Sequence, residues 1–137
     1  MSKPFGFVLV VFAALAVAAG ALAAAPTITI DLKGGFGNRI YKACGITHHY
    51  ILFHPGPVIA IKGLVTPVPS RFRVKLKVKQ CVHGTFKSVW VGSANERRDG
   101  SYIGAYVPRH RGWFYARAYV HVGTDTGKSN KRYFQVR

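Results

Sequence analysis

The stretch Phe72-Arg73-Val74-Lys75-Leu76-Lys77-Val78-Lys79-Gln80-Cys81-Val82 alternates apolar and basic side chains with a period of two. Successive side chains of an extended chain point to opposite sides. Phe72, Val74, Leu76 and Val78 therefore share one face, and Arg73, Lys75, Lys77 and Lys79 share the other. The pattern reads as a half-buried strand with a basic outer face. Strict alternation also puts Cys81 with the lysines. Either the strand bulges near Gln80, or a disulfide tethers an outer segment to the sheet. The second arrangement suits Cys44, which sits in an N-terminal stretch ahead of the regular strands.

A second run alternates in the same way. Phe114, Ala116, Ala118, Val120 and Val122 fall on one face, with Trp113, Tyr115, Arg117, Tyr119 and His121 on the other. The small Ala116 and Ala118 suit a core position opposite bulky neighbours. Around these two runs lie further β-type segments, Thr27–Leu32, Tyr50–Phe53, Val58–Val65, Phe86–Val91, Tyr102–Val107 and Lys131–Val136. They are separated by turn or loop signals at Gly34-Gly35, His54–Pro57, Thr66–Ser70, Arg98–Gly100, Pro108–Gly112 and Gly123–Asn130. Nothing after residue 26 holds a helical period for three turns. Seven or eight short strands with this punctuation predict an all-β, antiparallel sandwich or barrel.

From Val58 onward the order of landmarks resembles bacterial secreted immunoglobulin-like (fibronectin III-like) sandwich domains. The residues that carry the likeness are Ile61-x-Gly63-x-Val65-x-Pro67, the strand Val74–Val78, Phe86-x-x-Val89 and Asp99-Gly100-Ser101-Tyr102. Gly112-x-Phe114-Tyr115-x-Arg117-Ala118, Ser129 and Phe134-x-Val136 complete the set. The resemblance implies an immunoglobulin-like β-sandwich used in extracellular adhesion, display or structure, with no catalytic residues. Residues 26–57 have no counterpart in that pattern, the two cysteines are not at an intersheet spacing, and the chain is far more basic. The organisation expected is a signal peptide over 1–25, an N-terminal arm or leading strands over 26–57 tethered to the sandwich, and the sandwich itself over 58–137.

The leader reading rests on Lys3, the uncharged apolar run Phe5–Ala19 and the small residues that follow. Ala21 and Ala23 fit an A-x-A site, with cleavage after Ala23 or Ala24. A retained anchor is the competing reading, because Phe5 to Ala25 is long enough to span a bilayer. The small-residue end argues for cleavage, and no later segment is long enough to cross a membrane. Neither a twin-arginine pair nor a cysteine after the apolar run marks another export route. The expected location is secreted, extracellular or cell-envelope. In that oxidising setting Cys44 and Cys81, the only cysteines, make one disulfide the simplest assignment, with a free thiol pair as the alternative.

The 137 residues contain 20 Lys+Arg against 4 Asp+Glu. Such an excess attracts polyanions through a positive potential that salt screens. Arg73, Lys75, Lys77 and Lys79 form the candidate polyanion-binding face. The partners expected are anionic wall polymers, acidic polysaccharides or extracellular DNA, or else another surface protein. Sequence-specific nucleic-acid reading is not expected of an exported chain. The bland alternative is a solvated strand face that discourages edge-to-edge pairing.

Other constellations are thin. Trp113, Tyr115 and Tyr119, with Trp90, have the makings of a sugar-stacking face, but packing explains aromatics on a strand better. His48, His49 and His54 lack a neighbouring acid and the spacing of a structural zinc site, so no metal is assigned. Gly123-Thr124-Asp125-Thr126-Gly127-Lys128-Ser129 has one residue too few between its glycines for a phosphate-binding loop and precedes a strand, not a helix. It reads as a hairpin loop. With only Asp31, Glu96, Asp99 and Asp125 for acid–base work and no nucleophile signature, the expectation is no catalytic residue and no cofactor. The reading is therefore a non-catalytic exported structural or binding module, with a cationic polyanion-binding protein as the alternative.

Overall fold

The computed structural model describes residues 26–137. The expected leader lies outside them. Twelve strands follow one another: β1 (Thr27–Ile28), β2 (Asp31–Lys33), β3 (Gly37–Ala43), β4 (Ile46–Phe53), β5 (Ile59–Thr66) and β6 (Arg73–Val82). The remainder are β7 (Thr85–Ser93), β8 (Asn95–Glu96), β9 (Ser101–Tyr106), β10 (Gly112–Val122), β11 (Asp125–Lys128) and β12 (Arg132–Val136). One sheet has the order β1-β5-β9-β8, with β2 also on β5. The other runs β3-β4-β12-β10-β6-β7, with β11 continuing along β10. Every pairing is antiparallel except β4 with β12, which is parallel.

The two alternating runs are neighbours. β6 and β10 pair from Arg73↔His121 to Gln80↔Phe114, which aligns their apolar faces. Val74, Leu76 and Val78 meet Phe114, Ala116, Ala118 and Val120 there, and Ile28, Ile59, Ile61, Val65 and Tyr102 close over them from the other sheet. Removing each large aliphatic side chain from water contributes roughly 1.5–3 kcal/mol, and this layer is what holds the sandwich together. Ala116 and Ala118 leave room in it for the rings of Phe114 and Phe134, which stack at 5.1 Å. On β5, Gly63 is needed for close approach: a Cβ there would strike the Thr29 carbonyl and the Tyr102 ring. That gap lets the Tyr102 hydroxyl donate to the Thr29 carbonyl.

Several elements differ from the sequence reading. Thr27–Leu32 is two short strands, with Thr29 between them paired to Leu64 through both its backbone and its hydroxyl. β3 was not expected, because a strand exposed on both sides has no apolar alternation to reveal it. For the same reason β4 begins at Ile46 and not Tyr50. The loop expected over Gly123–Asn130 divides into the turn Gly123-Thr124 and a connection through Ser129-Asn130, with β11 between them, since Asp125 already pairs with Val122. The bulge lies on β7, not near Gln80: Val78 pairs with Trp90 and Lys79 with Ser88, leaving Val89 as the extra residue. Alternation along β6 thus continues unbroken, and Cys81 points to the outer side.

Candidate functional site

The outer face of the larger sheet divides into a covered half and an open half. The Cys44–Cys81 disulfide, with 5.8 Å between Cα atoms, anchors the tip of the β3–β4 hairpin over one end of β6. Beneath it Ala43, Tyr50, Tyr115 and Tyr133 form a second small core, with Ile46, Phe86 and Trp113 packed against it. Tyr41 stacks on Trp113 at 5.0 Å, and Phe86 meets Tyr115 edge-on at 4.9 Å. The Tyr50 hydroxyl, Trp113 Nε1 and Gln135 Oε1 are buried there without a hydrogen-bond partner among the described residues. Burial raises the pKa of Tyr50 above that of a free phenol, and neighbouring Tyr133 adds to the effect.

The open half is basic. Antiparallel register sets its residues in rows across three strands: Arg73, His121 and Thr126, then Lys75, Tyr119 and Lys128, then Lys77 and Arg117. Lys79 pairs with Tyr115 at the border with the covered half. The four cations expected on β6 do share one face. Arg73 and Lys75 are exposed, and Lys77 and Lys79 are half-buried along their stems. Rings carry part of the charge: Lys77 Nζ lies 4.8 Å from the Tyr119 ring centroid, and Lys131 Nζ lies 4.8 Å from that of Tyr115. Arg117 donates through Nε to the Ser129 carbonyl at 2.8 Å. Ser129, itself buried, accepts at Oγ from the Ala118 amide and so joins β10 to the chain leading into β12.

Like charges set opposite each other on a sheet repel, so Lys77 beside Arg117 is costly without a counter-charge. The four acids do not provide one. Asp31 is engaged by Lys33 at 2.7 Å and by Arg132 at 3.4 Å, and these two contacts are the ion pairs among the described residues. The Lys33 hydrogen bond holds the Asp31 carboxyl below the usual carboxylate range, with the Arg132 charge a lesser contribution. The Val74 amide donates to Glu96 at 2.6 Å, and both the amide and the hydroxyl of Ser101 donate to Asp99. Asp125 begins β11.

The remaining expected groupings separate. His48 lies against Tyr133 and His54 stacks on Phe36, while His49 pairs across to Ile40. Among the described residues no three His, Cys, Asp or Glu side chains gather as a metal site. Trp113 and Tyr115 are under the hairpin and Trp90 packs near Tyr106 at 5.3 Å, which leaves Tyr119 alone of the aromatic set on the open half. Arg109 and Arg111 lie at the Gln80 end of the sandwich, away from the basic rows. Arg97 and Arg98 join Arg71 and Arg73 at the other end. Arg117 was legible as outward-facing. Lys128 read only as a loop residue, because register across strands leaves no trace in the chain itself.

No helix among the described residues is long and apolar enough to cross a membrane. No protein-family model matches the chain, and no curated protein matches it.

Proposed function

We propose that this is a non-catalytic, exported immunoglobulin-like module that adsorbs to anionic polymers of the extracellular space or cell envelope through the open half of its larger sheet. The immunoglobulin-like part of the reading is supported by strand order. β1-β5-β9-β8 corresponds to the A-B-E-D sheet of such domains, and β12-β10-β6-β7 to G-F-C with an added C′. Export is supported by the disulfide, which an oxidising compartment maintains, together with the leader-like sequence.

One observation carries the binding reading: rows of cations, Lys75 with Lys128 and Lys77 with Arg117, stand on one face with no acid paired to any of them among the described residues. A polymer with repeated negative charge would relieve their mutual repulsion and release its own counterions in doing so.

Retention on immobilised heparin tests this. Neutralising Lys75, Lys77 and Lys79 to Gln is expected to flatten the dependence of log affinity on log salt by about 2–3. Neutralising Lys62, Arg109 and Arg111, exposed elsewhere, should flatten it distinctly less. Equal losses from the two triple variants would reduce the effect to bulk charge, and elution of the unaltered protein below physiological salt would end the proposal.

A further inference from the structure

Lysines and arginines are segregated. The open sheet face is mostly lysine, with Lys75, Lys77 and Lys128 beside Arg117 and Lys79 at its border, whereas the end of the sandwich beyond Arg73 carries arginines. There a cleft of about 890 Å³ opens between the β5–β6 connection and the β8–β9 turn, with Arg71, Arg73, Arg97, Arg98 and His121 along it. A smaller hollow of about 430 Å³ shares Arg73, Glu96 and His121 with it and leads onto the lysine face at Lys75. Small-ligand sites fall in this size range.

The frame that carries these arginines is built. The Val74 amide donates to Glu96 Oε1, and the Ala94 amide donates to the Val74 carbonyl, so the segments bearing Arg73 and Arg97 are fastened to each other. The Arg97–Gly100 turn is closed by the Gly100 amide donating to the Arg97 carbonyl at 3.0 Å. It is pinned to β5 by the Val65 amide donating to the Gly100 carbonyl at 2.9 Å. Gly100 holds φ +87°, and a Cβ there would come within 2.6 Å of the Val65 carbonyl oxygen, so the turn admits no other residue without strain. Asp99 is spent on Ser101 and Glu96 on Val74. None of the four guanidinium groups has a carboxylate within ion-pair distance among the described residues.

A guanidinium presents a planar fork that fits two oxygens of one tetrahedral oxyanion, whereas an ammonium acts as a point charge. Val68, Pro69 and Phe72 supply an apolar wall beside the forks, suited to the carbon face of a sugar ring. A sulfate or phosphate ester pendant on a sugar presents three terminal oxygens to these forks, whereas a phosphodiester within a nucleic-acid backbone presents two. We infer that the cleft is a discrete site for a sulfate or phosphate ester pendant on a polysaccharide, gripped by Arg71, Arg73, Arg97 and Arg98. This rests on the polyanion reading for the polymer alone; the oxyanion site stands or falls separately.

Titration with glucose 6-phosphate and glucose 6-sulfate at physiological salt, followed by the Nε–H resonances of the arginines and by calorimetry, tests the site. At least one ester is expected to shift cleft arginine signals, and the tighter of the two identifies the ester class. The triple variant R71K/R97K/R98K keeps net charge and is expected to weaken that ester at least tenfold, and to lower heparin retention as well where the sulfate ester is the tighter one. K75Q/K77Q/K79Q is expected to lower heparin retention and leave the affinity for the free ester unchanged. Unchanged ester affinity in the arginine-to-lysine variant, with its amide spectrum showing a native fold, overturns the inference. So does failure of both esters to shift the arginines, including the case where duplex DNA binds and the variant binds it equally well. Loss of heparin retention specificity with ester binding intact would remove the sheet-face reading and leave the cleft.

Discussion

Tyr115 and Tyr119 lie four residues apart on β10 and point to the same side of the sheet, yet their surroundings differ. Tyr115 is 5 % exposed, enclosed by Phe86, Tyr133 and the hairpin above. Tyr119 is half exposed, with Lys77 over its ring. The strand's own alternation is identical at both positions. What separates them is a distant tie, the Cys44–Cys81 bond, which lays the β3–β4 hairpin over one half of the sheet and stops short of the other. An outer face thus becomes core or surface according to where a non-local crosslink places its cover.

Breaking the tie should blur that contrast most. Replacing both Cys44 and Cys81 with serine is expected to lower unfolding stability by about 4 kcal/mol, from the entropy returned to a chain closed over a 37-residue separation. Hydrogen exchange should accelerate first in β3 and the tip of β4 while the β6–β10 pairing stays protected. Uniform acceleration would mean that the hairpin and the sandwich core unfold as one unit. Next in size, Tyr115→Ala should cost about 3 kcal/mol through the cavity left in the small core. Tyr119→Ala should cost only about 0.5 kcal/mol, mostly its contact with Lys77. Similar losses in denaturant titrations of the two variants would contradict the division of the face.

An effect of the opposite sign concerns the covered half alone. The Tyr50 hydroxyl is buried and unpartnered among the described residues, so Tyr50→Phe should stabilise by about 1 kcal/mol. Its pKa in the folded protein is raised, chiefly by burial. On unfolding, the phenol ionises at its ordinary value of 10.0, so the stability tied to its neutral form is complete below that pH and is lost as pH climbs through the raised value. Melting curves from pH 8 to pH 11 should therefore fall less steeply for the Phe variant. Parallel curves would mean that the hydroxyl is not desolvated.

Much of this was legible from the chain alone. A period of two over Phe72–Val82 and Trp113–Val122 named both central strands and sorted each side chain inward or outward. Strict alternation put Cys81 on the outer face but left a bulge near Gln80 open, and an even count made its pairing with Cys44 the simplest assignment for the oxidising setting expected of an exported chain. β3 was not legible, because every residue of Gly37–Ala43 before Ala43 stays exposed, and a strand without a buried face writes no periodic pattern. The cleft was hidden for a different reason. Arg71 and Arg97 are 26 positions apart in the chain, and they meet only because β8 crosses to the other sheet while held to β6 by Glu96 and Val74. Local spacing carries strand faces; it does not carry the loop ends that two sheets bring together.

The sulfur bridge also sorts the molecule's exposed bends by what a protease can do to them. A single nick at His54–Pro57 or at Thr66–Ser70 falls between Cys44 and Cys81, and both pieces stay linked. Cuts after Arg97, Arg98, Arg109 or Arg111 fall outside the bridged span and sever the polypeptide outright. A trypsin-like enzyme would find its preferred side chains at these unprotected bends. Survival of such a digest would depend on how tightly the Arg97–Gly100 corner and the Pro108–Gly112 loop stay folded.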